Sequence, residues 1–224
     1  MNFYKLSSSV NIEDIGVSGQ VQSIMAEYCP PEQYSFLDKI NPQGRIEADI
    51  NPPPLKLEDA AKKTDWLDTV QFSFASIMVL SLRFEKFLEN FSLPETQVFP
   101  IRIYHRGEIL NYKLLYLTKP MNAEFIDFTK SSFVIIEKNT VIDNPSFNNW
   151  DHFLKIKRSI PAFQRISLSK LVLKPKDIPY DIFRFHLLGR GIYISENLKT
   201  AIEAAGLTGM QITPIEAIKH FYVR

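Results

Sequence analysis

Residues Ser195–Ile215 read SENLKTAIEAAGLTGMQITPI, and residues Ser81–Ile101 read SLRFEKFLENFSLPETQVFPI. The two stretches align over 21 positions without a gap, at a constant offset of 114 residues. Ser81 matches Ser195, Glu89 matches Glu203, Leu93 matches Leu207, Gln97 matches Gln211, Pro100 matches Pro214 and Ile101 matches Ile215. The apolar positions say more than the identities. Phe84, Phe87, Leu88 and Phe91 fall where Leu198, Ala201, Ile202 and Ala205 fall, at the i, i+3, i+4, i+7 spacing that lines one face of a helix. Each serine stands just ahead of its helix, where its hydroxyl can accept a free backbone N–H of the first turn. Gly206 and Gly209 suit a left-handed exit from the second helix; the first copy has Ser92 and Pro94 there. Upstream, Asp65-Trp66-Leu67 resembles Asp181-Ile182-Phe183 once a gap of two residues is allowed. The pattern predicts a duplicated strand–helix–strand unit.

Working outward, Val98–Tyr104 and Ile109–Leu117 read as strands around His105-Arg106-Gly107-Glu108, a hairpin. Phe3–Leu6 alternates weakly as an opening strand, and Val21–Tyr28 fits a strand or a helical turn. Phe125–Phe128, Phe133–Ile136 and Ile166–Leu173 read as further strands, and Phe183–His186 as a half-buried one. Ile215–Tyr222 reads as a closing helix. Six of the 14 prolines lie between Pro30 and Pro54, which predicts extended chain over the surface, anchored by residues such as Phe36 and Leu55. The expected class is α+β, with duplicated strand–helix–strand units, mostly antiparallel sheet and more strand than helix. The expected organisation is an N-terminal proline-rich segment over residues 1–60 packed on the body, then repeat-containing lobes at 61–140 and 141–224, or one continuous domain.

Composition narrows the function. The chain has 224 residues, is 45% hydrophobic and carries 26 Lys+Arg against 25 Asp+Glu. Near balance argues against gripping phosphate backbones as the main activity, so no nucleic-acid partner is expected. A single cysteine, Cys29, allows no internal disulfide and fits a reducing compartment. No apolar run approaches the roughly 20 residues that cross a bilayer, and no secretory signal is evident, so the expected site is the cytoplasm.

Reactive motifs are few. Gly189-x-Gly191 lacks a third glycine and precedes a strand, which favours a turn over a phosphate cradle. His105, His152, His186 and His220 have no paired ligand spacing, so no metal is expected. Cys29 lies ahead of Pro30-Pro31, where nothing lowers its pKa. The repeated cap accounts for Ser81 and Ser195. Lys155–Arg158 and Lys170–Lys176 read as solvated basic clusters. No catalytic residue and no cofactor is assigned. Six side chains remain as candidates for contact with a partner. Trp150, Asp151 and His152 lie in the turn-rich segment Asp143–His152, where a core-capping aromatic is the alternative for Trp150. Arg184, His186 and Arg190 lie around the expected half-buried strand, where a carboxylate such as Asp181 or Glu196 could instead hold Arg184.

The words Ile182–Phe185, Ile192–Glu196, Leu198-Lys199 and Ala201–Gly209 together resemble the closing signature of an immunity-protein family of bacterial polymorphic toxin systems. That family is number eleven in the usual listing and was formerly a domain of unknown function. Thr64–Leu67, the Ser81 helix, Phe99-Pro100 and Phe125–Asp127 followed by Ser131 are similar to its first half. The resemblance runs from about Pro54 to Pro214, and the segment before it matches little. It implies a non-enzymatic antitoxin that binds and neutralises a cognate toxin domain made by the same cell. It carries over no binding residues, because the shared positions build strands, caps and turns. A small enzyme acting on a nucleotide or a modified protein, through a pocket of Arg184, His186 and Arg190, is the alternative. A self-assembling scaffold is a third reading; oligomeric state is left open.

Overall fold

The structure, a computed structural model, describes residues 2–25, 44–46, 52–69, 77–121, 123–174, 178–185 and 191–215. The expected closing helix, Cys29, His220 and most of the proline-rich stretch lie outside the described residues. The chain opens with β1 (Phe3–Ser8), a one-turn helix α1 (Ile12–Ile15), β2 (Val21–Ile24) and β3 (Leu55–Leu57). Next come β4 (Trp66–Leu67), β5 (Ile77–Ser81) and helix α2 (Leu82–Leu88). A long hairpin of β6 (Thr96–His105) and β7 (Glu108–Leu117) leads to β8 (Ser132–Glu137), β9 (Thr140–Asp143) and helix α3 (Trp150–Ser159). Then follow β10 (Gln164–Lys170), β11 (Ile182–Arg184), β12 (Ile192–Ser195), helix α4 (Glu196–Ala205) and β13 (Met210–Pro214). The class is α+β, with more strand than helix and mostly antiparallel sheets. Among the described residues, no helix is long and apolar enough to cross a membrane.

The strands form three sheets, ordered β2-β3-β6-β7-β5-β4, β11-β12-β1-β13 and β10-β8-β9. The first two contain the duplicated unit, and their registers match residue for residue. In the first copy Leu115 of β7 lies between Met78 of β5 and Val98 of β6. In the second, Leu6 of β1 lies between Ile192 of β12 and Ile212 of β13. Both flanking pairs keep the offset of 114 residues, so β1 occupies in the second unit the place β7 occupies in the first. The opening strand predicted from weak alternation is thus an inner strand of its sheet.

Each unit caps its helix in the same way. Ser81 Oγ accepts from Phe84 N and Ser195 Oγ from Leu198 N, both at 3.1 Å. Each hydroxyl then donates to an aspartate of its own unit, Ser81 to Asp65 at 2.7 Å and Ser195 to Asp181 at 2.5 Å. The second oxygen of each aspartate reaches across to the other unit. Asp65 Oδ2 accepts from Thr208 N at 2.9 Å, and Asp181 Oδ2 accepts from Ser92 N at 3.1 Å. Main-chain bonds reinforce the exchange, Trp66 N to Thr208 O and Asp181 N to Ser92 O. Between the sheets, Met78, Leu80, Phe84 and Leu88 meet their counterparts Ile192, Ile194, Leu198 and Ile202 in one buried cluster. The contact has the self-complementary form of a two-fold dimer interface, made within a single chain.

Local chemistry accounts for the turns. Arg106 and Gly107, with φ of 50° and 82°, link β6 to β7, and Lys138 and Asn139, at 45° and 67°, link β8 to β9. Two consecutive positive-φ residues make the tight hairpin turn whose twist matches its strands. The expected strand at Phe125–Phe128 is not formed. Ala123–Phe125 is a 3-10 turn, and Ile126 makes a single bridge to Leu173. Asp127 explains the break: its side chain accepts from Thr129 Oγ1 and Lys130 N, which closes a turn where a ladder would have run.

Candidate functional site

The expected turn at Asp143–His152 gives way at its end to a helix, because its last three residues open α3. Asn149 is the reason, since its Oδ1 accepts from His152 N at 2.9 Å. Trp150 then falls on the inner side of the first turn. Its ring stacks on Phe153 at 5.1 Å and tilts against Phe128 at 6.2 Å, closing an aromatic cluster that includes Phe133 and Phe147. It is half-buried. Asp151 is exposed in the first turn, where a carboxylate complements the helix dipole. His152 is half-buried with its ring edge-on to Phe147 at 5.7 Å, and its Nδ1 faces Asn148 N at 3.5 Å. Trp150 and His152 hold the helix start against the core, while Asp151 is exposed.

Arg184 is not at the surface. It is 4% exposed, its Nε donates to Leu117 O at 2.8 Å and a terminal nitrogen donates to Thr118 O at 3.1 Å. Main-chain carbonyls at the end of β7 take the place of the carboxylate expected from the sequence. Burial lowers its pKa from the usual arginine value. The strand itself is buried on both faces rather than one, with Ile182 toward the core shared by the units and Phe183 in the aromatic core. His186 and Arg190 lie outside the described residues. The guanidinium that was to anchor a pocket with them is therefore committed to tying β11 to β7.

Other polar groups are similarly engaged. Gln20, fully buried, donates to Lys62 O at 2.7 Å and accepts from Asp68 N at 3.0 Å. Burial, followed by the charge of Asp65, pushes the Tyr112 hydroxyl up to about 12, and that hydroxyl donates to Thr64 O at 2.8 Å. Burial alone raises Tyr193. His105 is 6% exposed and its Nε2 meets no hydrogen-bond partner among the described residues. Those residues contain no group of three His, Cys, Asp or Glu side chains placed to hold a metal ion.

Two surface features stand apart from this internal bonding. A cleft of about 500 Å³ runs between α1 and the seam of the two units, lined by Glu13, Asp14, Lys62, Thr64, Thr208 and Met210. Its polar groups largely serve each other, as Lys62 Nζ donates to Glu13 O and Asn11 Nδ2 to Asp14. Val10 and Ile12 beside it are 70% and 61% exposed. The other feature is Phe163, 66% exposed after Pro161-Ala162 and immediately before β10. Sequence reasoning passed over Phe163. The available signal was charge, because residues 152–174 contain Lys155, Lys157, Arg158, Arg165, Lys170 and Lys174 and no Asp or Glu.

Neither a protein-family model nor a curated protein matches the chain.

Proposed function

We propose that the protein is an immunity protein, which binds a cognate toxin domain and neutralises it by covering its working surface, without catalysis. One contrast carries the reading. The buried polar side chains Asp65, Arg184 and Gln20 are spent on internal bonds, while Phe163, Val10 and Ile12 stand outside the core. Exposed apolar side chains mark protein–protein contact where they form one patch rimmed by polar residues. Two units locked through one shared core form a rigid body, which limits the ordering cost of association. The resemblance of Thr64–Leu67 and Ile192–Gly209 to an immunity family supplies the partner class, a toxin domain produced in the same cell. A stable blocking complex needs an interface of roughly 1,200–2,000 Å².

Co-expression with the toxin gene encoded beside it tests the reading. The protein restores growth and co-purifies with the toxin domain in a defined ratio. Failure to protect against any adjacent effector would overturn it.

A further inference from the structure

The three-stranded sheet belongs to neither repeat, and its turn end gathers cations around one exposed ring. Gln164 of β10 pairs with Glu137 of β8, so Phe163 lies one residue past that pair, level with Lys138 in the hairpin turn. Phe163 lies only four residues beyond the end of α3, so the last turn of the helix, with Lys157 and Arg158, ends toward this same end of the sheet. Lys138, Lys157 and Arg158 are exposed and have no carboxylate partner among the described residues. Arg165 of β10 reaches over to Asn139 Oδ1 at 3.5 Å, a long contact that spans the turn. Along β9, Val141 and Ile142 are 43% and 49% exposed.

A free strand edge ordinarily invites pairing with another strand, but β9 carries a bulge. Ile135 pairs with Asp143 and Ile136 with Val141, leaving Ile142 as the extra residue. A bulge twists an edge away from further pairing and re-aims its side chains. Side chains are therefore what this end of the molecule offers: an aromatic anchor, two aliphatic neighbours and an excess of cations over the one carboxylate beside them, Glu137, which accepts from Gln164 Nε2 at 2.9 Å. A second copy would bring like charges together, which disfavours self-association. A nucleic acid would leave Val141 and Ile142 without a role, and a single aromatic is a poor stacking platform.

We infer that the tip formed by Phe163, Lys138, Lys157 and Arg158, with Val141 and Ile142 alongside, is the docking surface for an acidic face of a protein partner that receives the Phe163 ring in an apolar pocket. Under the immunity reading, on which the partner's identity rests, that face belongs to the toxin domain. Phe163 acts as the energetic centre and the cations steer approach.

Photo-crosslinking in the cells of origin tests this with the full chain. A benzophenone amino acid replaces Phe163, Arg158 or, as a distant control, Val10, and adducts are identified by mass spectrometry. The expected result is an acidic protein attached at 163 and 158 but not at 10. With that protein purified, Phe163→Ala weakens binding by about 30-fold or more. Lys157→Glu with Arg158→Glu lowers the association rate at low salt by about tenfold. A toxin domain as the adduct supports both the surface and the immunity reading. A different acidic protein, with the same losses, supports the surface and refutes the immunity reading. Attachment of a toxin at 10 alone, attachment of nucleic acid or of a second copy at 163, or no adduct at 163 and 158 overturns the surface.

Discussion

Replacing Ser195 with alanine removes two interactions made by one hydroxyl. The first is the cap, in which Ser195 Oγ accepts from Leu198 N at 3.1 Å; losing such a cap costs about 1 kcal/mol. The second is donation to Asp181 at 2.5 Å, a bond to a charged acceptor that contributes about 1.5–3 kcal/mol. Ser195 is fully buried, so water does not replace what is lost. After the change Asp181 keeps Ser92 N as its side-chain partner among the described residues. The expected loss is about 3 kcal/mol, a substantial part of a typical domain's 5–15 kcal/mol. Ser81→Ala should cost less, about 2 kcal/mol. Ser81 is only half-buried, and Asp65 retains Thr208 N, Thr208 Oγ1 and Arg83. Urea unfolding followed by circular dichroism measures both, with an unchanged slope showing that the same surface is exposed. Because the units share one core, each variant should unfold in a single transition. Losses below about 1 kcal/mol at both serines, or separate transitions for the two units, would refute the latch argument.

Two further substitutions and a pH titration probe the same seam. Gly209→Ala would place a Cβ 2.2 Å from Trp66 O and 2.5 Å from Thr64 Oγ1 at a φ of +84°, so it should cost about 3 kcal/mol or more in thermal unfolding. Gly206→Ala meets nothing within 4 Å and should cost only the left-handed strain, about 1–2 kcal/mol; equal effects would contradict the close approach at Gly209. Tyr112 is raised from 10.0 to about 12 in the fold, so the unfolded state loses this proton first. Its contribution is complete below pH 10 and disappears as pH rises toward 12, to a maximum of about 2.7 kcal/mol. Stability measured against pH should fall across that window, and Tyr112→Phe should make the fall shallower.

The repeat was readable because its information is local. Helix spacing, a cap serine and an exit glycine each lie within a few residues of one another, and so do the Arg106-Gly107 turn and its flanking strands. What escaped was set by distant partners. Nothing in Phe3–Ser8 announces that strands near residues 194 and 212 will close on either side of it. Arg184 reads as the polar position of a half-exposed strand, and only the carbonyls of Leu117 and Thr118, far back in the chain, make burial tolerable. The start of α3 was legible in principle. Asn149 is a good cap, and Trp150, Phe153 and Leu154 have helical spacing. Tracts of Asn, Asp, Pro and Ser before it weighed toward turn. Phe163 had one local signal, the run of cations without Asp or Glu over residues 152–174, but its exposure is set by the fold.

The borrowed strand has a cost in time. The first unit is zipped by a hairpin whose innermost pair, His105 and Glu108, is three residues apart. The second unit needs Tyr4 to find Pro214, the kind of distant encounter that slows folding. During synthesis the opening segment emerges long before either strand that will flank it, while the hairpin can assemble as soon as it leaves the ribosome. The finished first half then presents an apolar face on which the second half can gather. The expected order of folding therefore runs outward from the hairpin, with β1 among the last elements to reach its final place.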